Sequence, residues 1–155
     1  IQVIAEKLKL YHAKNIVIDP VMVSTSGCAL MSPDAMGTLM ETLLPLGDII
    51  TPNIPEAQKL WGCSIESPED MIRAAEYISK NLSGSVLIKG GHLTETSDDL
   101  LYHNGEITWF KGERIQTDNT HGTGCTLSSA IASNLALGYD MKTSVGNAKA
   151  YITGA

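Results

Sequence analysis

Apolar positions fall into short runs of two kinds along the chain. Val3, Ile4, Leu8 and Leu10, set among Glu6, Lys7 and Lys9, recur at helical spacing, and Asn15 breaks the pattern before Ile16-Val17-Ile18. A helix followed by a buried strand is predicted there. Asp19-Pro20 closes the strand, since proline has no amide hydrogen for a ladder and restricts the residue before it. Ser32-Pro33-Asp34 is a helix start, with Ser32 as N-cap and Pro33 at the first helical position, and the apolar Leu39, Leu43 and Leu44 carry that helix to about residue 44. Asp48-Ile49-Ile50-Thr51 predicts a short strand ended by Pro52. Ser67-Pro68-Glu69-Asp70 opens a helix through Ile72, Ala75 and Ile78 towards Leu82, and Ser85-Val86-Leu87-Ile88 is a further apolar run without alternation. Strands buried on both faces, each preceded by a helix, imply a mostly parallel sheet covered by helices.

The character changes after Gly90-Gly91. Leu100 to His103 and Ile107 to Phe110 flank Asn104-Gly105, the signature of a type I′ hairpin, so an antiparallel edge is expected. From Gly124 onward Leu127, Ala130, Ile131, Leu135 and Leu137 trace a helix to Gly138, and Val145 to Ala155 suggests one more. The fold class expected is α/β in three layers, αβα.

The 155 residues suit a single domain, and 43% hydrophobic against 18% charged residues leaves enough apolar material for a core. Eleven Lys and Arg against 17 Asp and Glu give a net charge of −6, so neither nucleic acid nor an anionic membrane is expected as a partner. Cys28, Cys63 and Cys125 lie far apart with no C-x-x-C pair, which indicates neither a disulfide framework nor a zinc site and fits a reducing, cytoplasmic setting. No run approaches the roughly 18 apolar residues of a membrane span, and the chain start has no signal-peptide pattern. Starting without Met, the chain reads as a processed or partial polypeptide.

Asn119-Thr120-His121-Gly122-Thr123-Gly124-Cys125-Thr126 is a glycine-rich turn immediately before a long helix. Glycines let backbone N–H groups approach a ligand, and a helix N-terminus adds partial positive charge, so the segment suits an anion such as phosphate. It is neither a Walker A loop nor G-x-G-x-x-G. A plain helix-starting turn is the alternative. Cys125, at the start of that helix, sits where a thiolate is favoured and can take a proton or attack, against the simpler reading of an inert helix-start cysteine. Asn53 and Glu56 follow a predicted strand and suit a magnesium ion or its waters near phosphates; equally, Asn53 as cap and Glu56 at the third helical position match a capping box. Asp19, at another strand end, is a second carboxylate for that metal shell or a strand-end turn. Lys89, ahead of two glycines, reaches a nucleotide phosphate or is a solvated lysine. Together these strand ends point to nucleotide-phosphate chemistry, because ligands of open parallel sheets bind at the carboxyl ends of strands. His12, His92 and His103 show no metal spacing, His121 reads as shaping the turn, Cys28 and Cys63 as packing or surface residues, and Trp61 and Trp109 as core or rim aromatics.

Several stretches resemble the hydroxymethylpyrimidine/phosphomethylpyrimidine kinases of thiamine biosynthesis, in the ribokinase-like superfamily. They are Val17-Ile18-Asp19-Pro20-Val21-Met22-Val23, Ser26-Gly27, residues 50–57 with N-x-x-E, Leu87-Ile88-Lys89-Gly90-Gly91-His92, and Asn119 to Thr126. The combination is specific and covers essentially the whole chain. The resemblance implies a ribokinase-like fold and ATP- and Mg²⁺-dependent phosphorylation of the hydroxymethylpyrimidine and then of its monophosphate. It also implies an anion hole from the amides of Gly122, Thr123, Gly124 and Cys125, with Cys125 as the base where sugar kinases of this type carry an aspartate. ATP-side contacts would come from Asn53, Glu56 and Lys89, metal contacts from Asp19 and Glu56, and a pyrimidine contact from Val21. A pyridoxal kinase of the same branch and a noncatalytic nucleotide-binding module are the alternatives. Thr25-Ser26-Gly27-Cys28 departs from the Lys-Ser-Gly-acidic pattern common in bacterial members. The chain starts at the helix before Asp19, so the expectation is one partial kinase domain over 1–155, its C-terminal, ATP-side portion, acting on a small molecule and capable of forming a homodimer.

Overall fold

Ile49-Ile50 and Ser85–Ile88 present apolar side chains to both sides, and both strands lie in the middle of a sheet with a core on each face. In the computed structural model, which describes residues 1–22, 30–81, 84–91, 98–112 and 123–153, the sheet has the order β1 (Val17–Ile18), β2 (Ile49–Ile50), β3 (Ser85–Ile88), β4 (Asp99–His103), β5 (Glu106–Phe110). β1, β2 and β3 pair in parallel and β4 runs antiparallel to both β3 and β5, so four of the five strands point the same way. The expected antiparallel edge is the β4–β5 hairpin. Asn104 and Gly105 at its tip have φ of 51° and 82°, the paired positive values a type I′ turn needs.

Side-chain alternation along the strands separates the layers. Ile18, Ile50, Val86, Ile88 and Leu100 face one core, and Val17, Ile49, Leu87 and Leu101 face the other. The first core is covered by α1 (Gln2–Leu10), α2 (Pro33–Thr38), α3 (Ile54–Trp61) and α4 (Pro68–Asn81). α5 (Thr123–Ala136) and α6 (Met141–Thr153) cover the second through Leu127, Ile131, Val145 and Ala148. This is the three-layer αβα arrangement the apolar pattern predicts.

Ser32 caps α2 by accepting the Ala35 N–H at 3.3 Å, with Pro33 at the first helical position. The predicted single helix to about residue 44 instead changes winding twice. It becomes a π-helix over Leu39–Leu43 and a 3₁₀ turn over Leu44–Leu46, where Pro45 has no N–H with which to continue an α-helical ladder. α6 begins at Met141, four residues before the predicted start, because Asp140 accepts the Thr143 N–H at 2.8 Å and caps it.

Candidate active site

Parallel pairing of β1, β2 and β3 brings their carboxyl ends side by side, and the three residues just beyond them form one cluster. Asp19 follows β1, Thr51 follows β2 and Lys89 follows β3. Lys89 Nζ donates to Asp19 Oδ1 at 2.9 Å, and the buried Thr51 hydroxyl donates to the same oxygen at 3.0 Å. The ion pair is mostly shielded from solvent, its side chains 19% and 14% exposed, so it is screened less than a surface pair.

Two elements frame the pair. The Lys89 N–H donates to the Pro52 carbonyl at 2.9 Å, and Lys89 and Asn53 form a parallel bridge that carries the β2–β3 pairing up to α3. Asn53 caps α3 through a complete capping box, its Oδ1 accepting the Glu56 N–H and its own N–H donating to Glu56 Oε2, each at 2.9 Å. Glu56 Oε1 also accepts the Met22 N–H at 3.3 Å. Glu56 is buried, 2% exposed, and this burial raises its carboxyl above the ordinary value; the Asn53 amide, the Lys89 charge and the Met22 amide pull it back down. The second frame is the start of α5. A methyl group on Gly124 would lie 3.2 Å from Asp19 Oδ2 and 3.4 Å from Lys89 Nζ, so glycine lets the first turn of the helix close onto the ion pair. Its N-terminal partial positive charge faces the Asp19 carboxylate.

Asp19, Asn53, Glu56, Lys89 and Gly124 are thus brought together. Thr123 opens α5, and the Cys125 thiol is free and solvent-exposed at the third helical position. Val21 is exposed just past β1, in the turn where its N–H donates to the Asp19 carbonyl at 2.9 Å. Gly122 lies outside the described residues, as do Asn119 to His121, Ser26, Gly27, Cys28 and His92. Cys63 is on the surface, and Trp61 packs partly buried against the α1–α4 core. Sequence reasoning gave no role to Thr51, though a threonine between a strand and Pro52 signals a hydroxyl held at a strand end. Nor did it foresee the backbone tie from Met22 to Glu56, which joins positions 34 residues apart.

Mg²⁺ binds through one or two carboxylates, waters and substrate phosphates rather than a dedicated protein cage. Asp19 offers one such carboxylate at the strand ends. Both Glu56 oxygens are taken by amides, leaving it as a charge behind Asn53. A hollow of about 340 Å³ lined by Leu8, Lys9, His12, Ala13, Ile16 and Leu46 sits at the opposite, amino end of β1, away from this chemistry.

A helix-covered sheet with this hairpin edge and a charged, glycine-floored carboxyl end is the architecture of ribokinase-like proteins. The crystal structure of phosphomethylpyrimidine kinase from Clostridium difficile 630 is similar at a TM-score of 0.86 and 44% identity, over 97% of this chain and 61% of that one. Pyridoxal kinase from Staphylococcus aureus in complex with AMP-PCP is similar at 0.88 and 33%, over 98% and 56%. The chain belongs to the phosphomethylpyrimidine kinase family, whose model matches residues 1–155. It is 45% identical to a hydroxymethylpyrimidine/phosphomethylpyrimidine kinase of Rhizobium meliloti, covering all of this chain and 59% of that protein. It is 44% identical to the thiamine biosynthesis bifunctional protein ThiED of Geobacter sulfurreducens, covering 98% and 31%. The chain therefore spans about a third to three fifths of these relatives.

Proposed function

We propose that the protein containing this chain transfers the γ-phosphoryl group of ATP to hydroxymethylpyrimidine and then to its monophosphate, in thiamine diphosphate biosynthesis. The observation that carries the reading is the closure of α5 onto the Lys89–Asp19 pair at the carboxyl end of the sheet. A helix N-terminus, a lysine and a carboxylate meet there, and phosphoryl transfer needs groups that hold phosphates and neutralise their charge. Family membership and the nucleotide complexes of the similar pyridoxal kinases support ATP as donor.

In this reading the amides of Gly122, Thr123, Gly124 and Cys125 cradle the transferring phosphoryl group, and Lys89 balances charge on the nucleotide phosphates. Cys125 takes the proton of the attacking hydroxyl; its exposed thiol is open to a substrate. Asp19 is the carboxylate for Mg²⁺, with Thr51 fixing its orientation, and the metal when bound neutralises phosphate charge. Glu56 holds Asn53 and the start of α3 in place beside it, and Val21 borders the pyrimidine. Among the described residues no helix is long and apolar enough to cross a membrane, and a cytoplasmic enzyme acting on a small molecule, with a homodimer as its assembly, completes the reading.

Pyridoxal is the competing acceptor, favoured by the similarity to pyridoxal kinases at 33–38% identity. The deciding experiment uses the full-length gene product with ATP and Mg²⁺, offered hydroxymethylpyrimidine, its monophosphate and pyridoxal. Phosphorylation of both pyrimidines is expected. Turnover of pyridoxal alone replaces the pyrimidine reading, and a folded protein that phosphorylates none of the three replaces it with a noncatalytic binding role.

A further inference from the structure

β4 runs against its neighbours, so its first residues lie at the carboxyl ends of β3 and β5, next to the site. Asp99 is the first of them and is nearly buried, 6% exposed. Its Oδ1 accepts the Gly90 N–H at 2.9 Å and its Oδ2 accepts Lys149 Nζ, from α6, at 2.6 Å. The preceding carboxylate, Asp98, accepts the Gly112 N–H at 2.9 Å. Gly90 is pressed so closely against this corner that a Cβ there would sit 1.8 Å from the Asp98 carbonyl oxygen.

The consequence falls on Lys89. Its own N–H is bound to Pro52 on one side, and the next N–H along the chain is bound to the Asp99 carboxylate on the other. A lysine is a point charge on a flexible stem, so where its ammonium rests depends on how firmly its backbone is held. The Asp99 side chain is itself anchored, because Lys149 lies against the oxygen that Gly90 does not use.

We propose that Asp99, held in place by Lys149, is a positioning residue that fixes the Lys89–Gly90 peptide and thereby aims the Lys89 ammonium at Asp19 and the first turn of α5. The consequence for nucleotide binding rests on the reading of Lys89 as a phosphate contact; the positioning itself does not.

The test compares two double variants in the full-length protein. Asp99→Asn with Lys149→Met removes both members of the ion pair and keeps an oxygen acceptor for the Gly90 N–H. Asp99→Leu with Lys149→Met has nearly the same outline and no acceptor. The first is expected to keep AMP-PCP affinity close to that of the natural protein, and the second to weaken it roughly tenfold, the scale of one lost hydrogen bond. Adding Lys89→Met is expected to cost much affinity in the first background and little in the second. Equal affinities in the two backgrounds, or an equal cost of Lys89→Met in both, overturns the proposal.

A second readout needs no nucleotide. In NMR spectra of protein with labelled lysine, the two Lys89 ε-methylene protons are expected to be resolved with Asn at 99 and merged with Leu at 99. If AMP-PCP binding by the natural protein proves indifferent to Lys89→Met, the phosphate reading fails, and these signals alone decide the positioning: identical spectra overturn it. Asp99→Glu, which keeps the charge and moves the acceptor by one methylene, provides the same comparison should the leucine variant not fold, with partial merging expected and unchanged signals counting against.

Discussion

The two ends of the sheet carry similar residue types and use them differently. At the amino end, polar groups are spent on structure. Asp48 accepts the Ile16 N–H at 2.7 Å, and Ser85 bonds to His103 Nδ1 at 2.6 Å with Asn104 on the other ring nitrogen at 3.1 Å. At the carboxyl end, Asp19, Thr51 and Lys89 converge from three strands under the start of a helix, and Glu56 is buried at a cost to its charged form. Parallel strands explain the difference. They bring like ends together, and the carboxyl ends meet helix N-termini whose partial charge attracts anions.

The sharpest way to break this contrast is at the helix start. In the full-length protein, Cys125→Ala is expected to lower kcat by about 10²–10⁴-fold, the range of a lost general base, while the KM for ATP changes little. Steady-state kinetics with each substrate varied decides it, and a parallel loss of both parameters would make Cys125 a structural residue. Next in size is Lys89→Met, which leaves the shielded Asp19 carboxylate without its cation. Nucleotide affinity measured by calorimetry should fall by roughly 10–100-fold, the scale of a charge-assisted hydrogen bond.

Glu56→Gln sharpens the contrast through stability. One of the two amides that Glu56 accepts, Asn53 or Met22, would then face an NH₂ group, at a cost of roughly 1–3 kcal/mol in denaturant unfolding near pH 7. The pH dependence has a definite sign. Because burial raises the Glu56 carboxyl, the folded protein retains a proton that the unfolded chain releases near 4.5, so stability falls as pH rises from there through the folded value. The glutamine variant should lose that slope. Asp70 and Asp140 act in the opposite direction: held below their ordinary 3.8 by amide and hydroxyl donors, they add stability above that value and lose it as the pH falls through their lower folded values. The smallest effect is expected at the other end of the sheet. His103→Ala should cost about 1 kcal/mol of stability for the Ser85 hydrogen bond and leave nucleotide affinity and turnover unchanged.

Local chemistry was readable without the fold. Ser32-Pro33 at a helix start, Asn104-Gly105 at a hairpin and the N-x-x-E capping box each depend on a few adjacent backbone groups, and each forms where expected. The loosened winding after Thr38 was not readable, because the same leucines satisfy α and π spacing and the choice depends on how they meet the core. The early start of α6 could have been seen in Asp140 with Thr143 three residues on.

Periodicity and turn and cap chemistry, each acting within a few residues, set the order of the strands, the two-faced burial of β2 and β3, and the residue types offered at each strand end. The tertiary structure decided which of those residues meet. Asp19 and Lys89 are 70 positions apart, and Asp99 and Lys149 are 50. Parallel registry, the reversal at β4 and the close approach allowed by Gly124 and Gly90 set those distances, and contacts of that range depend on the packing of whole layers rather than on any local preference.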